Sequence, residues 1–331
     1  MKNFTYFQPN SVKQAVGLLD AKWGTTELLA GGTDLLDLQK EYVAQPDKVV
    51  SLTGIKELAT IEAGNTGTKI GAGVKLTAIA DHPALKKLYP ALTDAAGDVG
   101  GPQIQNMGTL GGNLCQRNRC WYFRDEHVNC LLKGGPKCFA LDGENQYHAV
   151  FTTGHKCVIV HPSTLAPGLI ALGATVDIAG PKGNRTVELT KFFQAPTGPT
   201  QREHTLAPNE VLVSVSIPAK AVKNASYEVR HKQAYDWPLV QAAVAFNYEG
   251  GKVSNARIVL GHVAPTPVLA EAAAKAIEGK AIDEATAAAA GKAAAEGAKP
   301  LSQNAYKVKL IEVAVKRALL AAAGGKKYWE M

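Results

Sequence analysis

Thr26-Glu27-Leu28-Leu29-Ala30-Gly31-Gly32-Thr33-Asp34-Leu35-Leu36 is the stretch on which the reading of the fold turns. Its first five residues make a short apolar strand, Gly31-Gly32 interrupts it, and Leu35 to Tyr42 continues with helical apolar spacing. A second strand follows at Lys48-Val49-Val50-Ser51-Leu52. Strand, glycine turn, helix, strand is the order of a parallel unit. Adjacent glycines let the backbone turn its N–H groups toward one point, and the helix start adds about half a positive charge there. A pyrophosphate is the natural occupant, with the Thr33 hydroxyl as a further donor. The Asp34 side chain would repel a phosphate, so Asp34 is expected to offer its backbone N–H or to cap the helix. The spacing matches neither the dinucleotide fingerprint nor the P-loop, and a lone glycine turn is a weak signal.

Upstream, Ser11 to Leu19 has helical spacing with Ser11 as a candidate cap. Downstream, from about Ile55 to Pro218, short strands alternate with glycine turns. The clearest are Lys69 to Gly73, Cys157 to Val160, Ala174 to Ile178 and Val211 to Ile217, with helical stretches at Leu92 to Ala96 and Leu165 to Leu172. From about Ser226 come three strands (Tyr227 to His231, Ala242 to Tyr248, Ala256 to Leu260) and then alanine-rich helices at 270–277, 284–295 and 302–323. Alanine is the best helix former, and no heptad is sustained, so these read as packed helices rather than a coiled coil. The divisions expected are 1–55, 56–220 and 221–331.

The 331 residues suit two or three domains, and 46% hydrophobic with 20% charged residues is the composition of a folded chain. No apolar run is long enough for a membrane span, and the first residues lack the apolar core of a secretory signal. The net charge of +7 invites a nucleic-acid reading. The basic residues are scattered, however, and Lys86-Lys87, Lys316-Arg317 and Lys326-Lys327 are only pairs without interleaved aromatics, so nucleic acid is not expected.

A second glycine segment, Gly108-Thr109-Leu110-Gly111-Gly112-Asn113, with the first could clamp one long anionic ligand. Gly71-Ala72-Gly73 reads as structural. The second segment leads into the cysteines: Cys115, Cys120, Cys130, Cys138 and Cys157 are all five of the chain. An odd count in a long chain argues against a disulfide framework. Short chelating pairs and ferredoxin spacings are both absent, so spacing alone leaves an iron–sulfur cluster, zinc and plain thiols open. Trp121-Tyr122-Phe123 reads as an aromatic anchor for the loop, and His148, His155 and His161 form a local group near the last cysteine. No nucleophile elbow, zinc-binding His pair or carboxylate dyad appears, so no catalytic side chain is assigned.

The two glycine segments, in this order, resemble those of the FAD-binding subunits of the molybdenum hydroxylases, the family of the carbon monoxide dehydrogenase medium subunit and the xanthine dehydrogenase flavin domain. The likeness extends over nearly the whole chain, including Asn209 to Leu212 and Tyr227 to Asp236. It implies an α+β fold of the p-cresol methylhydroxylase (PCMH) and carbon monoxide dehydrogenase flavoprotein type, with two FAD-binding subdomains and a C-terminal three-stranded sheet plus helical bundle. Asn113-Leu114-Cys115 through Arg124 is similar to the branch with an inserted [4Fe–4S] loop, here about residues 114–158. That branch holds the flavoprotein subunit of periplasmic aldehyde oxidoreductases and the β subunit of 4-hydroxybenzoyl-CoA reductase.

By this resemblance FAD lies on Leu28, Leu29, Ala30, Gly31, Gly32, Thr33, Asp34 and Leu35 and on Gly108, Thr109, Gly112 and Asn113. Leu212 packs against it and Lys232 stands near the flavin ring. Thr164 occupies a position where the family usually has aspartate, leaving a hydroxyl for that hydrogen bond. The cluster ligands are expected to be Cys120, Cys130, Cys138 and Cys157, with Cys115 spare. The implied enzyme is an oxidoreductase of three subunits: a large molybdenum-cofactor subunit, a small [2Fe–2S] subunit, and this chain. Its FAD delivers electrons to an external acceptor. The reductive CoA-thioester enzyme is the alternative, and a zinc-stabilised binding protein without redox chemistry is a second. The compartment expected is the periplasm, by export with a partner, or the cytoplasm.

Overall fold

The computed structural model describes residues 1–64, 66–152, 154–220, 222–232 and 234–325, so Gln233, Lys326 and Lys327 of the stretches quoted above lie outside it. Three sheets follow one another along the chain. The first joins β1 (Thr5–Phe7), β2 (Thr26–Leu29) and β3 (Lys48–Ser51) in parallel, with β3 in the centre. The crossovers are α1 (Val12–Leu18) and α2 (Leu35–Lys40). Ser11 does cap α1, accepting the Gln14 N–H at 3.3 Å, and Val12 and Ala15 are buried.

The second sheet is antiparallel, in the order β4 (Ile61–Gly64), β5 (Gly67–Gly71), β8 (Val211–Pro218), β6 (Thr175–Gly180), β7 (Gly183–Glu188). The chain between β5 and β6 carries short helices, α3 (Leu76–Asp81), α4 (Pro83–Leu88), α5 (Pro90–Asp98), α6 (Pro102–Met107), α7 (Leu110–Cys115) and α8 (Trp121–Arg124), then a long irregular loop, then α9 (Leu165–Ala171). Proline opens α4, α5 and α6, where its fixed φ suits a helix and its missing N–H costs nothing. The sequence pattern showed only α5 and α9; the others have four to six residues, too few to display a helical period. A further short helix, α10 (Leu189–Phe192), follows β7.

The third sheet runs β12 (Val268–Leu269), β11 (Lys252–Gly261), β10 (Val240–Glu249), β9 (Lys223–Val229), all antiparallel, beside α11 (Glu271–Ile277), α12 (Glu284–Ala294) and α13 (Tyr306–Ala322). It therefore has four strands where three were expected, because β12 is two residues long and carries no pattern. Along β10, Ala242, Val244 and Phe246 pack with the helices while Ala243 and Ala245 join the core around α5 and α9. Burial on both faces explains why β10 reads as an unbroken apolar run.

Cys157 to Val160 is not a strand, against expectation. Cys157, Val158 and Ile159 are buried, but the backbone hydrogen bonds here join no ladder. Ala149 N–H donates to the Val158 carbonyl at 3.0 Å, and the neighbouring His161 N–H donates to Ala264 at 2.8 Å. It is held by the cysteines and loops around it.

Gly291 stands where α12 meets α13, and a Cβ there would lie 2.4 Å from the Glu312 carbonyl oxygen. Alanine for glycine inside a helix ordinarily stabilises by about 1 kcal/mol. Here the backbone contact reverses the sign, and Gly291→Ala should destabilise by about 1–3 kcal/mol. The midpoint of urea unfolding reads it, and an unchanged or raised midpoint would refute the close helix contact.

Candidate functional site

The two glycine segments meet. A Cβ on Gly31 would fall 2.0 Å from the Met107 carbonyl oxygen and 3.1 Å from the Gly108 Cα, so the β2–α2 turn and the entry to α7 touch through their backbones. Gly32 has φ +77°, a conformation that suits glycine and completes the turn into α2. Gly112 differs from Gly31: a Cβ on it would approach only Thr109 Oγ1, at 3.0 Å. The Gly112 N–H donates to that hydroxyl, so Thr109 caps α7.

Between the segments lies a cleft of about 450 Å³, within the range of small-molecule sites. Leu28, Ala30, Gly31, Gly32, Thr33, Asp34, Leu35, Gly108, Thr109, Gly112, Asn113, Thr164 and Leu212 all line it, as do Ala72 and Gly73 of the motif read as structural. Leu29 and Lys232 are not among the lining residues. Leu29 alternates with Leu28 along β2. Lys232 is exposed, with its backbone N–H directed to Asp236 Oδ2 at 3.3 Å; Tyr235, Asp236 and Trp237 of the same loop reach the cleft instead. Asn113 Oδ1 accepts from Ser163 Oγ at 2.6 Å and from the Leu165 N–H, which fixes α7 to α9. The Thr164 carbonyl accepts from Gln241 Nε2 at 2.8 Å, while its side chain makes no cap bond to α9.

The cations that line the cleft are Arg117, Arg119 and Arg202, none of which stood out in the sequence. Burial pulls the Arg119 pKa down to about 10, so it is still charged at neutral pH. Asp34 does not cap α2 with its side chain. Its carboxylate accepts from the Arg117 N–H at 2.8 Å and pairs with Arg124 and Arg119, at 2.5 and 3.1 Å. Arg119 also stacks over Trp237 at 4.7 Å. Glu203, buried, accepts from both nitrogens of Asn118 and lies 2.8 Å from Arg117 Nε.

Beyond Arg119 the chain enters a cysteine quartet. Cys130, Cys138 and Cys157 share one apolar cluster with Leu38, Phe123, Leu132 and Ile159, and Cys120 packs against it. Cys157 hydrogen-bonds to Cys138, which lowers Cys138 to about 6 and raises Cys157. Burial, reinforced by Cys138 and Cys130, pushes Cys120 up to about 12. Backbone N–H groups of Val158, Ala140 and Leu141 point at Cys138, and those of Phe123 and Tyr122 at Cys120. Cys115 is apart, in the cleft lining, its thiol raised to about 12 by burial. The histidine group expected nearby disperses: His148 joins the quartet, His155 is exposed, and His161 packs on Phe193 at 4.4 Å.

Residues 2–220 match the family model described as FAD binding domain in molybdopterin dehydrogenase, and 225–322 match the CO dehydrogenase flavoprotein C-terminal domain. The chain belongs to the FAD-binding subunits of the molybdenum hydroxylases. It is 33% identical over 278 residues to the aldehyde oxidoreductase FAD-binding subunit PaoB of Escherichia coli K12, covering 82% of this chain and 85% of that one. It is 32% identical to the carbon monoxide dehydrogenase medium chain of Hydrogenophaga pseudoflava, over 96% of both. A solved carbon monoxide dehydrogenase from Hydrogenophaga pseudoflava superposes with a TM-score of 0.76 at 30% identity, over 97% of each chain. Quinoline 2-oxidoreductase from Pseudomonas putida 86 gives 0.77 at 28%, over 99% and 100%. The fold class and the oxidoreductase assignment read from the sequence stand, and a binding protein without redox chemistry is set aside.

In this FAD-binding subunit the cleft suits its cofactor. Glycine backbone without Cβ atoms leaves room for a diphosphate, and Leu28, Leu206, Leu212 and Trp237 offer apolar surface for flat rings, while Arg117, Arg119 and Arg202 in the lining are paired with Glu203, Asp34 and Glu27. Among the described residues no helix is long and apolar enough to cross a membrane.

Gly112→Val should project into the cleft and yield flavin-depleted protein with little loss of thermal stability. Gly31→Val must also push the two segments apart, so flavin content and stability should both fall. The flavin-to-protein absorbance ratio and the melting temperature separate the cases, and full flavin content in both variants would refute the clamp. For Glu203, burial raises the pKa, but Arg117 and Asn118 outweigh it and hold it at about 2. A lowered folded pKa gives stability that is present above the unfolded value of ~4.5 and is lost as pH falls from there toward ~2. Glu203→Gln should cost about 3–5 kcal/mol at neutral pH, and its stability deficit should shrink on acidification through that window. A deficit independent of pH would show that charge is not what Glu203 supplies.

Proposed function

We propose that this subunit carries FAD and a [4Fe–4S] cluster in a three-subunit molybdenum hydroxylase that oxidises aldehydes, alongside a large molybdenum-cofactor subunit and a small [2Fe–2S] subunit. The observation that carries the reading is adjacency: Arg119 lines the cleft, and the next residue, Cys120, belongs to the cysteine quartet. The aldehyde class is supported by the similarity to the aldehyde oxidoreductase FAD-binding subunit.

The donor set suits a cluster. Four cysteines converge in an apolar, aromatic-walled site, and backbone N–H groups point at Cys120 and Cys138. The choice of a cluster over zinc rests on the likeness of the segment from Asn113 to Arg124 to the branch with an inserted [4Fe–4S] loop.

Bound FAD supplies exchange between two-electron and one-electron chemistry. The chain's part is to bind and orient. Gly31, Gly32 and Gly112 admit the diphosphate, the backbone N–H groups of the two turns meet its charge, and Leu212 and Trp237 shield the rings. Lys232 lies on the loop that brings Tyr235, Asp236 and Trp237 to the cleft and is itself outside the lining.

Serine at Cys120, Cys130, Cys138 or Cys157 should each lower iron and sulfide per chain while flavin is retained, and Cys115→Ser should leave iron and sulfide unchanged. Iron loss in Cys115→Ser with retention in Cys120→Ser would reverse the assignment. Tightly bound zinc and no iron in the wild-type complex would overturn it.

A further inference from the structure

His148 brings a polar atom to the quartet. Its Nε2 lies 3.2 Å from Cys120 Sγ, and the residue is 3% exposed. The ring sits edge-on to Trp121 at 5.2 Å. Its backbone is fixed from a distant part of the chain, since Asn304 Nδ2 donates to the carbonyls of His148 and Ala149, both at 3.1 Å. Lys307, itself buried, donates to the carbonyls of Tyr147 at 2.9 Å and His262 at 3.0 Å, which ties down the backbone next to the histidine. The nitrogen that faces the Cys120 sulfur is Nε2, and beside a thiolate the ring proton belongs on that atom. Nδ1 is buried without a hydrogen-bond partner, so nothing on the other side of the ring competes for it.

We propose that His148 is a positioning residue that donates Nε2–H to the Cys120 thiolate and thereby raises the reduction potential of the cluster. The inference rests on the cluster reading given above. An N–H···S bond withdraws electron density from a ligating sulfur and so favours the more negative, reduced state. Segments far apart in the chain cooperate in it: the loop after α7 supplies the thiolate, and residues 304–307 hold the histidine in place.

The test is a redox titration of the intact complex followed by EPR. His148→Phe keeps an aromatic ring against Trp121 and removes the donor; His148→Gln keeps an N–H. At fixed ambient potential the reduced-to-oxidised ratio of the cluster should fall by roughly threefold or more in His148→Phe, with iron and sulfide unchanged, and recover in His148→Gln. An iron-replete His148→Phe with the wild-type ratio overturns the proposal. The wild-type protein provides a measurement that does not depend on any variant folding. With histidine labelled with ¹⁵N, pulsed EPR of the reduced cluster should show a coupled histidine nitrogen, and its absence overturns the proposal. Wild-type complex lacking iron and sulfide overturns the cluster reading instead, which distinguishes the two failures.

Discussion

The carboxylate of Asp34 joins the parts of this molecule that have to act together. It sits at the end of the first glycine turn and takes a backbone N–H from Arg117 and ion pairs from Arg119 and Arg124. Those arginines belong to the segment that leaves the second glycine helix and enters the cysteine quartet. One partly buried carboxylate thus fixes the distance between turn, cleft and thiols. Such a group is costly to leave unpaired, so the arrangement tolerates little slack. Arg124 strengthens it with a second ion pair to Asp37 at 2.6 Å and a bond to the Asn118 carbonyl.

Glu203 does the same from the other side. It enters the segment from between β7 and β8, holding Asn118 through two hydrogen bonds and Arg117 through an ion pair. Residues 117–119 are thereby clamped between two carboxylates, one from the turn after β2 and one from the loop before β8. The wall between cleft and quartet is built from charge, while the quartet itself is apolar apart from sulfur and the N–H groups directed at it. The two sides suit the proposed assignment: a diphosphate is met by the backbone N–H groups of the two turns, and a cluster is kept from water by Phe123, Leu132 and Ile159.

The C-terminal unit is more than a scaffold for the helices. Through Asn304, Lys307 and Tyr306 it grips residues 146–149, which carry His148 to Cys120. Sheet β9–β12, with one face on its own helices and the other on α5 and α9, binds this unit to the cleft. The loop after β9 meanwhile brings Tyr235 and Trp237 to the cleft itself.

Much of this was legible in the residues alone. Glycine at adjacent positions is a local statement about backbone, and two such segments in order carried the family, the α+β fold and the two glycine-bearing walls of the cleft, Ala30 to Leu35 and Gly108 to Asn113. Strand periods placed β2, β3, β6, β8, β10 and β11 because each is long or apolar enough to show one. Elements of four to six residues, such as α6 and α8, and the two-residue β12 have no period to show. The assignment of charge also lay beyond the sequence. Lys232 looked like the cation of the site, while Arg117, Arg119 and Arg202 line it, and Asp34 looked like a cap although it is a counterion. Cap or counterion is decided by partners 83 to 90 residues away. The cysteines were countable from the start, but their convergence, the separation of Cys115 and the approach of His148 belong to tertiary structure. Backbone geometry is encoded by neighbours in the chain, whereas the environment of a charge or a thiol is set by whatever the fold packs against it.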